Sequence, residues 1–270
     1  MQRSFSYNAL TLRVRPSGES NREAWFLTAE EGLIRATVFG GPKSRLRARV
    51  APFHEGTLYI YHDPVRDSRK VTDFDVKSYR PGIRELYERA VTAGALAETI
   101  LASHAGGGGW PEAAGLAGSV LDALETANAA VCTRLGLYFF WHWAGFLGQR
   151  PALSACSSCA GGGLPDSARN GACEPGRDTV LWYSVREEAF FCENCLRRTV
   201  NQQARKDADS GSSLRVGAGA RLWLKRTESL DPAALARVSL DGPSLEQARA
   251  FTQAVLAGVL GKRLSSWDGI

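Results

Sequence analysis

Short runs of alternating apolar and polar positions fill the first eighty residues. Tyr7, Ala9, Leu12 and Val14 lie in one run, ended by the turn signal Pro16-Ser17-Gly18. Ala24–Thr28 and Leu33–Phe39 form two more, separated by Glu30-Glu31-Gly32. Thr57–Tyr61 and the stretch around Val71–Val76 are rich in the aromatic and β-branched residues that fit a pleated, half-buried surface. Five short strands divided by turns predict a small closed barrel, and the five-stranded OB type has the matching size.

From Pro81 the period lengthens. Ile83, Leu86, Ala90, Ala97 and Ile100 or Leu101 recur at helical spacing, with Arg84, Glu85, Glu88 and Arg89 on the other faces. Four consecutive glycines, 106–109, interrupt this helix. A second helix is expected with Leu116, Val120, Leu124 and Val131 on one side. Leu135–Leu147 is apolar on every face, which suits a helix surrounded by others. His142 within it reads as a hydrogen-bonded core residue, because no second His or carboxylate lies one turn away. Residues 161–176 form an aperiodic loop rich in Gly, Pro, Asp and Asn. Trp182–Val185 and Ala189–Phe191 then read as a hairpin around Arg186-Glu187-Glu188. After Val200 the chain reads as helical. Ser244-Leu-Glu-Gln247 has the form of a capping box, followed by Phe251, Val255 and Val259 at four-residue spacing.

These patterns give an α+β multidomain chain. A barrel spans residues 1–80, a helical domain 81–150 and a cysteine-rich module 151–200, and the helical part 201–270 is expected to pack on the helical domain. A length of 270 residues suits about two domains, and 44% hydrophobic with 23% charged residues excludes disorder. The longest uncharged stretch, Leu135–Gln149, is too short to span a membrane. The N-terminal MQRSFSYNALTLRV lacks the apolar core of a secretion signal. A cytoplasmic protein is therefore expected, with its six cysteines as reduced thiols or metal ligands.

The net charge of +5 is modest, but its distribution changes the picture. Residues 1–80 hold 14 Lys/Arg against 9 Asp/Glu, whereas residues 81–150 hold 4 against 6. Arg35, Lys43, Arg45, Arg47 and Arg49 follow one another with no acidic residue between them. A one-signed cluster of this kind is either a polyanion-binding surface or a solvated loop. If Lys43–Arg49 is extended, its period of two places Lys43, Arg45, Arg47 and Arg49 on one face. Arg221, Lys225 and Arg226 offer a second basic surface.

Cys156-Ser-Ser-Cys159 and Cys192-Glu-Asn-Cys195 carry the most specific chemical signal. Two-residue spacing lets each knuckle aim both thiolates at one ion, and two knuckles complete the tetrahedron that Zn²⁺ prefers. Four thiolates close the site, so one structural zinc per chain is expected and no catalytic metal. Cys173 lies mid-loop without such a partner, and Cys132 reads as a small core residue. Catalytic motifs fail. His54-Glu55 opens HExxH, but Leu58 stands at the second His, and Gly40-Gly41-Pro42-Lys43-Ser44 lacks the glycines of a P-loop. No nucleophile or acid–base pair can be assembled from His54, His62, His104 and His142.

Several segments resemble one known family. Leu27-Thr-Ala-Glu-Glu-Gly-Leu-Ile-Arg35, Gly40-Gly-Pro-Lys-Ser-Arg45 and Pro52-Phe53 are similar to the barrel of the RecO recombination-mediator proteins. Leu147-Gly-Gln-Arg-Pro-Ala-Leu153 resembles the family's entry to its zinc module, and Leu260-Gly-Lys-Arg-Leu-Ser265 its closing helix. The resemblance implies a non-catalytic DNA-binding protein of homologous recombination. It implies single- and double-stranded DNA, RecR and the C-terminal tail of the single-stranded-DNA-binding protein as partners, with RecA reached indirectly. It also implies strand annealing without ATP, and neither a membrane nor a small-molecule substrate. Arg35, Lys43, Arg45, Arg47 and Arg49 are the candidate DNA contacts, with Phe39, Phe53 or Tyr59 as stacking platforms or barrel core. The competing reading is a zinc-ribbon protein-interaction module with no direct DNA role.

Overall fold

The computed structural model describes residues 3–41, 43–158, 180–203 and 213–270. The chain divides into two compact units, Met1–Phe139 with Leu264–Ile270, and Phe140–Arg263.

The first unit opens with the expected barrel. Its strands are β1 (Ser4–Ser17), β2 (Asn21–Thr28), β3 (Gly32–Val38), β4 (Glu55–Asp63) and β5 (Ser68–Ser78), in closed order β1-β2-β3-β5-β4. β1 is long because it serves two neighbours. Ser4–Leu10 pairs with β4, Ala9–Ser17 pairs with β2, and the register shifts between Thr11 and Arg13. That bulge bends the strand around the barrel, as closure requires. The ring is sealed by one parallel pair, Thr37 with Lys70. Period-two alternation sends Ala24, Phe26, Ile34, Leu58, Ile60 and Phe74 inward, where they are fully buried. The turn between β3 and β4 carries the short helix α1 (Arg45–Arg49), whose Leu46 packs against this core. Residues 43–49 are thus not an extended run. A helix turns about 100° per residue, so Arg45 and Arg49 share a face and Arg47 does not.

Beyond β5 the backbone reverses at Arg80, which adopts φ 45° and ψ 55°. A 3-10 turn (Pro81–Arg84) follows, then α2 (Tyr87–Ala102), α3 (Trp110–Leu124) and α4 (Ala129–Phe146). The expected second helix reaching Val131 is in fact two, because Asn128 starts a new one. Its Oδ1 accepts from the Val131 amide at 3.0 Å, an N-terminal cap. Cys132 is buried as expected, and burial pushes its thiol up to about 11. The C-terminal 3-10 turn (Ser265–Gly269) returns to α2, where the Trp267 indole donates to Thr99 Oγ1 at 2.9 Å.

Arg80 joins barrel to helices. Its guanidinium is 2% exposed and donates to Asp122 of α3, Glu55 of β4 and the carbonyls of Phe53 and Gly118. Burial lowers its pKa, but the carboxylates of Asp122 and Glu55 more than reverse this, so it stays charged. A second tie is Gly32, at φ +68°, where a Cβ would lie 2.7 Å from the Trp110 ring of α3.

In the second unit a small sheet has the order β7-β6-β8, with β6 (Leu181–Ser184), β7 (Ala189–Phe191) and β8 (Ser213–Val216). The hairpin is as expected. β8 was not, since four residues carry too little periodicity to outweigh the helical pattern after them. Helices α5 (Glu193–Gln203), α6 (Ala218–Thr227) and α7 (Gly242–Leu260) accompany the sheet. Tyr183, Phe190, Trp141 and Phe251 form its aromatic core. His142 is half-buried rather than core, and its Nε2 lies 3.0 Å from the Thr227 carbonyl, the hydrogen bond expected of it. The capping box fails in detail. Asp241 caps α7 by accepting from Ser244 N, and Gln247 Oε1 instead accepts from the Gly217 amide.

Arg80→Ala should lower unfolding free energy by about 2–3 kcal/mol, less than a wholly enclosed pair because Glu55 and Asp122 reach solvent. Arg80→Lys should recover only part, since an ammonium cannot span the same fork. Urea titration of the three proteins measures this, and equal midpoints would refute it.

Candidate nucleic-acid interface and metal centre

The outer face of the barrel is built by strand register. Arg13 stands opposite Trp25, and Trp25 opposite Arg35, in one row across β1, β2 and β3. In the next row Arg15 faces Glu23, Glu23 faces Thr37, and Thr37 pairs with Lys70. The Arg15 guanidinium lies 5.8 Å from the Trp25 ring centre, and the Lys70 ammonium 5.3 Å from that of Phe39. Cations thus sit over half-buried or exposed aromatic rings, the pairing that tracks a sugar–phosphate backbone while stacking its bases. Arg35 is held by Glu23 at 3.3 Å yet remains two-thirds exposed.

The other candidate cations are placed differently. Lys43 and Arg45 are exposed in the segment that follows β3, whereas Arg49 is bound to Asp73 at 2.9 Å. Arg47 turns toward Arg22 and lines a separate cleft. Arg221 is buried and donates to the Leu153 carbonyl, and Lys225 pairs with Glu228, so the second basic surface does not form. Phe39 and Tyr59 are exposed rather than core, but Tyr59 stands opposite Asp73 and only Phe39 is under a cation. Phe53 is half-buried at φ 71°. Arg13, Arg15, Trp25 and Lys70 escaped the sequence reading. Arg13 and Arg15 carried a signal, two cations at period two in a strand, but Lys70 joins them only through barrel closure.

His54 holds the α1 turn. Its Nδ1 lies 2.8 Å from the Arg49 carbonyl, so Nδ1 carries the proton, while Nε2 faces Arg84, which also donates to the Pro52 carbonyl. Burial pushes the pKa of His54 below its usual value, and nearby Arg84 and Arg80 add to this. The unfolded chain therefore takes up this proton more readily. Stability should be full above about pH 6.5 and fall as pH drops toward the lower folded value. In His54→Asn, which keeps a donor for Arg49, unfolding midpoints at pH 7.5 and 5.5 should lie closer together than in the wild type. An unchanged difference would show that His54 does not contribute.

The metal candidate belongs to the second unit. The Sγ atoms of Cys156, Cys192 and Cys195 lie within 4.8 Å of one another. The hairpin arranges this. β7 delivers Cys192, the first turn of α5 carries Cys195, and the Ser157 amide donates to the Phe190 carbonyl at 2.8 Å, tying Cys156 alongside. Cys156 and Cys192 are buried and Cys195 half-buried. Three converging thiols with no carboxylate or imidazole in the group suit a soft, thiolate-binding ion, so these residues can hold a metal. Cys159 and Cys173 lie outside the described residues. Serine at Cys156, Cys192 or Cys195 should lower both bound metal and melting temperature, whereas Cys132→Ser should leave metal content unchanged. Elemental analysis with thermal melting reads both, and metal-free wild-type protein would refute the site.

The chain is similar to known proteins. Residues 1–79, the barrel, match the family model described as Recombination protein O N terminal. A protein named DNA repair protein RecO from Acaryochloris marina is 31% identical over 103 residues, 37% of this chain and 34% of that protein. Another of the same name from Pelotomaculum thermopropionicum is 29% identical over 159 residues, 58% of this chain and 60% of that protein. The chain thus covers less than two thirds of either relative. An OB-type barrel, a helical region and a thiol cluster describe the class of protein, and the barrel is similar to that of the RecO proteins. Among the described residues, no helix is long and apolar enough to cross a membrane.

Proposed function

We propose that this protein is a non-catalytic, cytoplasmic DNA-binding recombination mediator. One observation carries the reading: Trp25 stands between Arg13 and Arg35, with Arg15 over its ring, on the outer face of the barrel. A single strand laid across this face meets guanidinium groups at its phosphates and an indole at a base, and Lys70 over Phe39 repeats the arrangement. Lys43 and Arg45 extend the positive surface. Phosphate contacts of this kind are indifferent to sequence, which suits annealing of any complementary pair, and duplex DNA offers the same charge.

Annealing needs no nucleotide hydrolysis, because pairing itself is downhill once two strands are held together. Zinc held by Cys156, Cys192 and Cys195, with Cys159 as fourth thiolate, would supply folding energy and take no part in DNA chemistry. Docking to RecR and to the tail of the single-stranded-DNA-binding protein, and through them assistance to RecA, completes the reading; the family names of the relatives support it.

Single-strand binding across a salt series tests the proposal. Each cation that meets a phosphate contributes about 0.7 to the log–log slope. Alanine at Arg13, Arg35 and Lys70 together should flatten that slope by at most about 2.1, and slow annealing equally with and without ATP. A folded triple variant with the wild-type slope would remove this face from DNA binding. Wild-type protein that binds no oligonucleotide would favour the protein-interaction reading.

A further inference from the structure

Arg22 occupies an unusual position. Ala24 and Phe26 of β2 point into the barrel and are fully buried, so period two puts residue 22 on the same inward side, at the barrel's rim. Its register partners there are Pro16 and Val38, and Val38 is core. An inward rim position calls for an apolar side chain, yet the sequence supplies a cation. Arg47 of α1 lines the same cleft as Arg22, and burial first and then the charge of Arg47 lower the pKa of Arg22. Among the described residues neither Arg22 nor Arg47 forms an ion pair with a carboxylate. Both line a cleft of 270 Å³ with Arg15, Asn21, Pro52 and Glu19.

Two like charges held together and partly desolvated raise the energy of the folded chain unless an anion joins them. Arg15 adds a third positive charge, against the single carboxylate of Glu19, and also belongs to the outer face, through Trp25. The cleft therefore lies where that face runs out, at the β1–β2 turn. We propose that this cleft receives the terminal phosphate of a polynucleotide strand whose preceding bases lie on the Trp25 face. A phosphomonoester is favoured over an internal diester on charge, since a dianion neutralises two guanidinium groups and a diester only one. The inference rests on the DNA-binding reading above and extends it to strand ends.

The test compares one oligonucleotide in three forms, with a 5′-phosphate, with a 3′-phosphate and with hydroxyls at both ends, by fluorescence anisotropy at fixed salt. One terminal phosphate should tighten wild-type binding about ten-fold, the scale of a charge-assisted hydrogen bond. Arg47→Gln and Arg22→Gln should each abolish that preference and leave the hydroxyl-ended form bound within about three-fold of wild type, because that form presents the cleft with no terminal phosphate and only the general charge changes. Inorganic phosphate should compete away the preference, and melting curves confirm that the variants fold. Equal affinity for all three forms overturns the terminal-phosphate site and leaves DNA binding standing. Binding of none of them overturns both. Competition by a short acidic peptide, with inorganic phosphate inert, overturns the site in favour of carboxylate recognition.

Discussion

A full positive charge sits at Arg80 with 2% of its side chain in contact with solvent, and only four acceptors converging on one guanidinium make this tolerable. Each acceptor comes from a different place: β4, the α1–β4 turn, and two positions a helical turn apart on α3. Once the arginine is buried, none of those segments can move independently without leaving the charge uncompensated. The left-handed backbone at Arg80 serves the same end, because it reverses the chain so that the side chain turns back between barrel and helix. The carbonyl of Phe53 is the acceptor that ties Arg80 to the α1–β4 turn. It fixes the turn that follows α1, and His54 and Arg84 fix the same turn from either side. The placement of Arg47 and Arg49 thus depends on a charge outside the proposed DNA surface.

Much of the barrel was legible because it obeys a local rule. Alternation in residues 7–14, 24–28, 33–39, 57–61 and 71–76 places every strand; β1, β4 and β5 extend their runs at both ends, β2 only at its start, and β3 is shifted by one residue. The helices were legible as periodicity but not as boundaries. Asn128 divides one expected helix in two through a single side-chain hydrogen bond, which no hydrophobic pattern records. In α7 the cap moved from Ser244 to Asp241 because Gln247, freed from its capping role, found the Gly217 amide. That competition between a local and a distant acceptor depends on tertiary contact.

The site was legible in its chemistry and less so in its geometry. Three thiols of two C-x₂-C pairs converge as spacing alone required. The basic segment, by contrast, disperses. Arg35 belongs to the sheet face, Lys43 and Arg45 to an exposed turn, Arg49 to an ion pair with Asp73, and Arg47 to a rim cleft. Five cations adjacent in sequence therefore serve at least three environments. The face that gathers charge instead takes Arg13 and Arg15 from β1, Arg35 from β3 and Lys70 from β5. Its unity comes from barrel closure, and closure joins residues 37 and 70 through one parallel pair that carries no sequence signature.

Under the proposed function, that division of labour would let one small barrel hold DNA without reading it. Base-edge recognition needs donors and acceptors fixed in a groove, and the outer face offers rings and guanidinium groups instead. Rings stack on any base and guanidinium groups meet any phosphate, so affinity rises with charge while sequence preference does not. The ion pair between Arg35 and Glu23 tempers this. Glu23 keeps Arg35 oriented beside Trp25 in the absence of DNA, and an incoming phosphate must compete with a carboxylate. Binding through such exchanged partners weakens the hold on each phosphate. The strand annealing proposed for this protein would require strands to slide into register and the protein then to leave the duplex, so contacts that exchange readily suit that task better than contacts that lock.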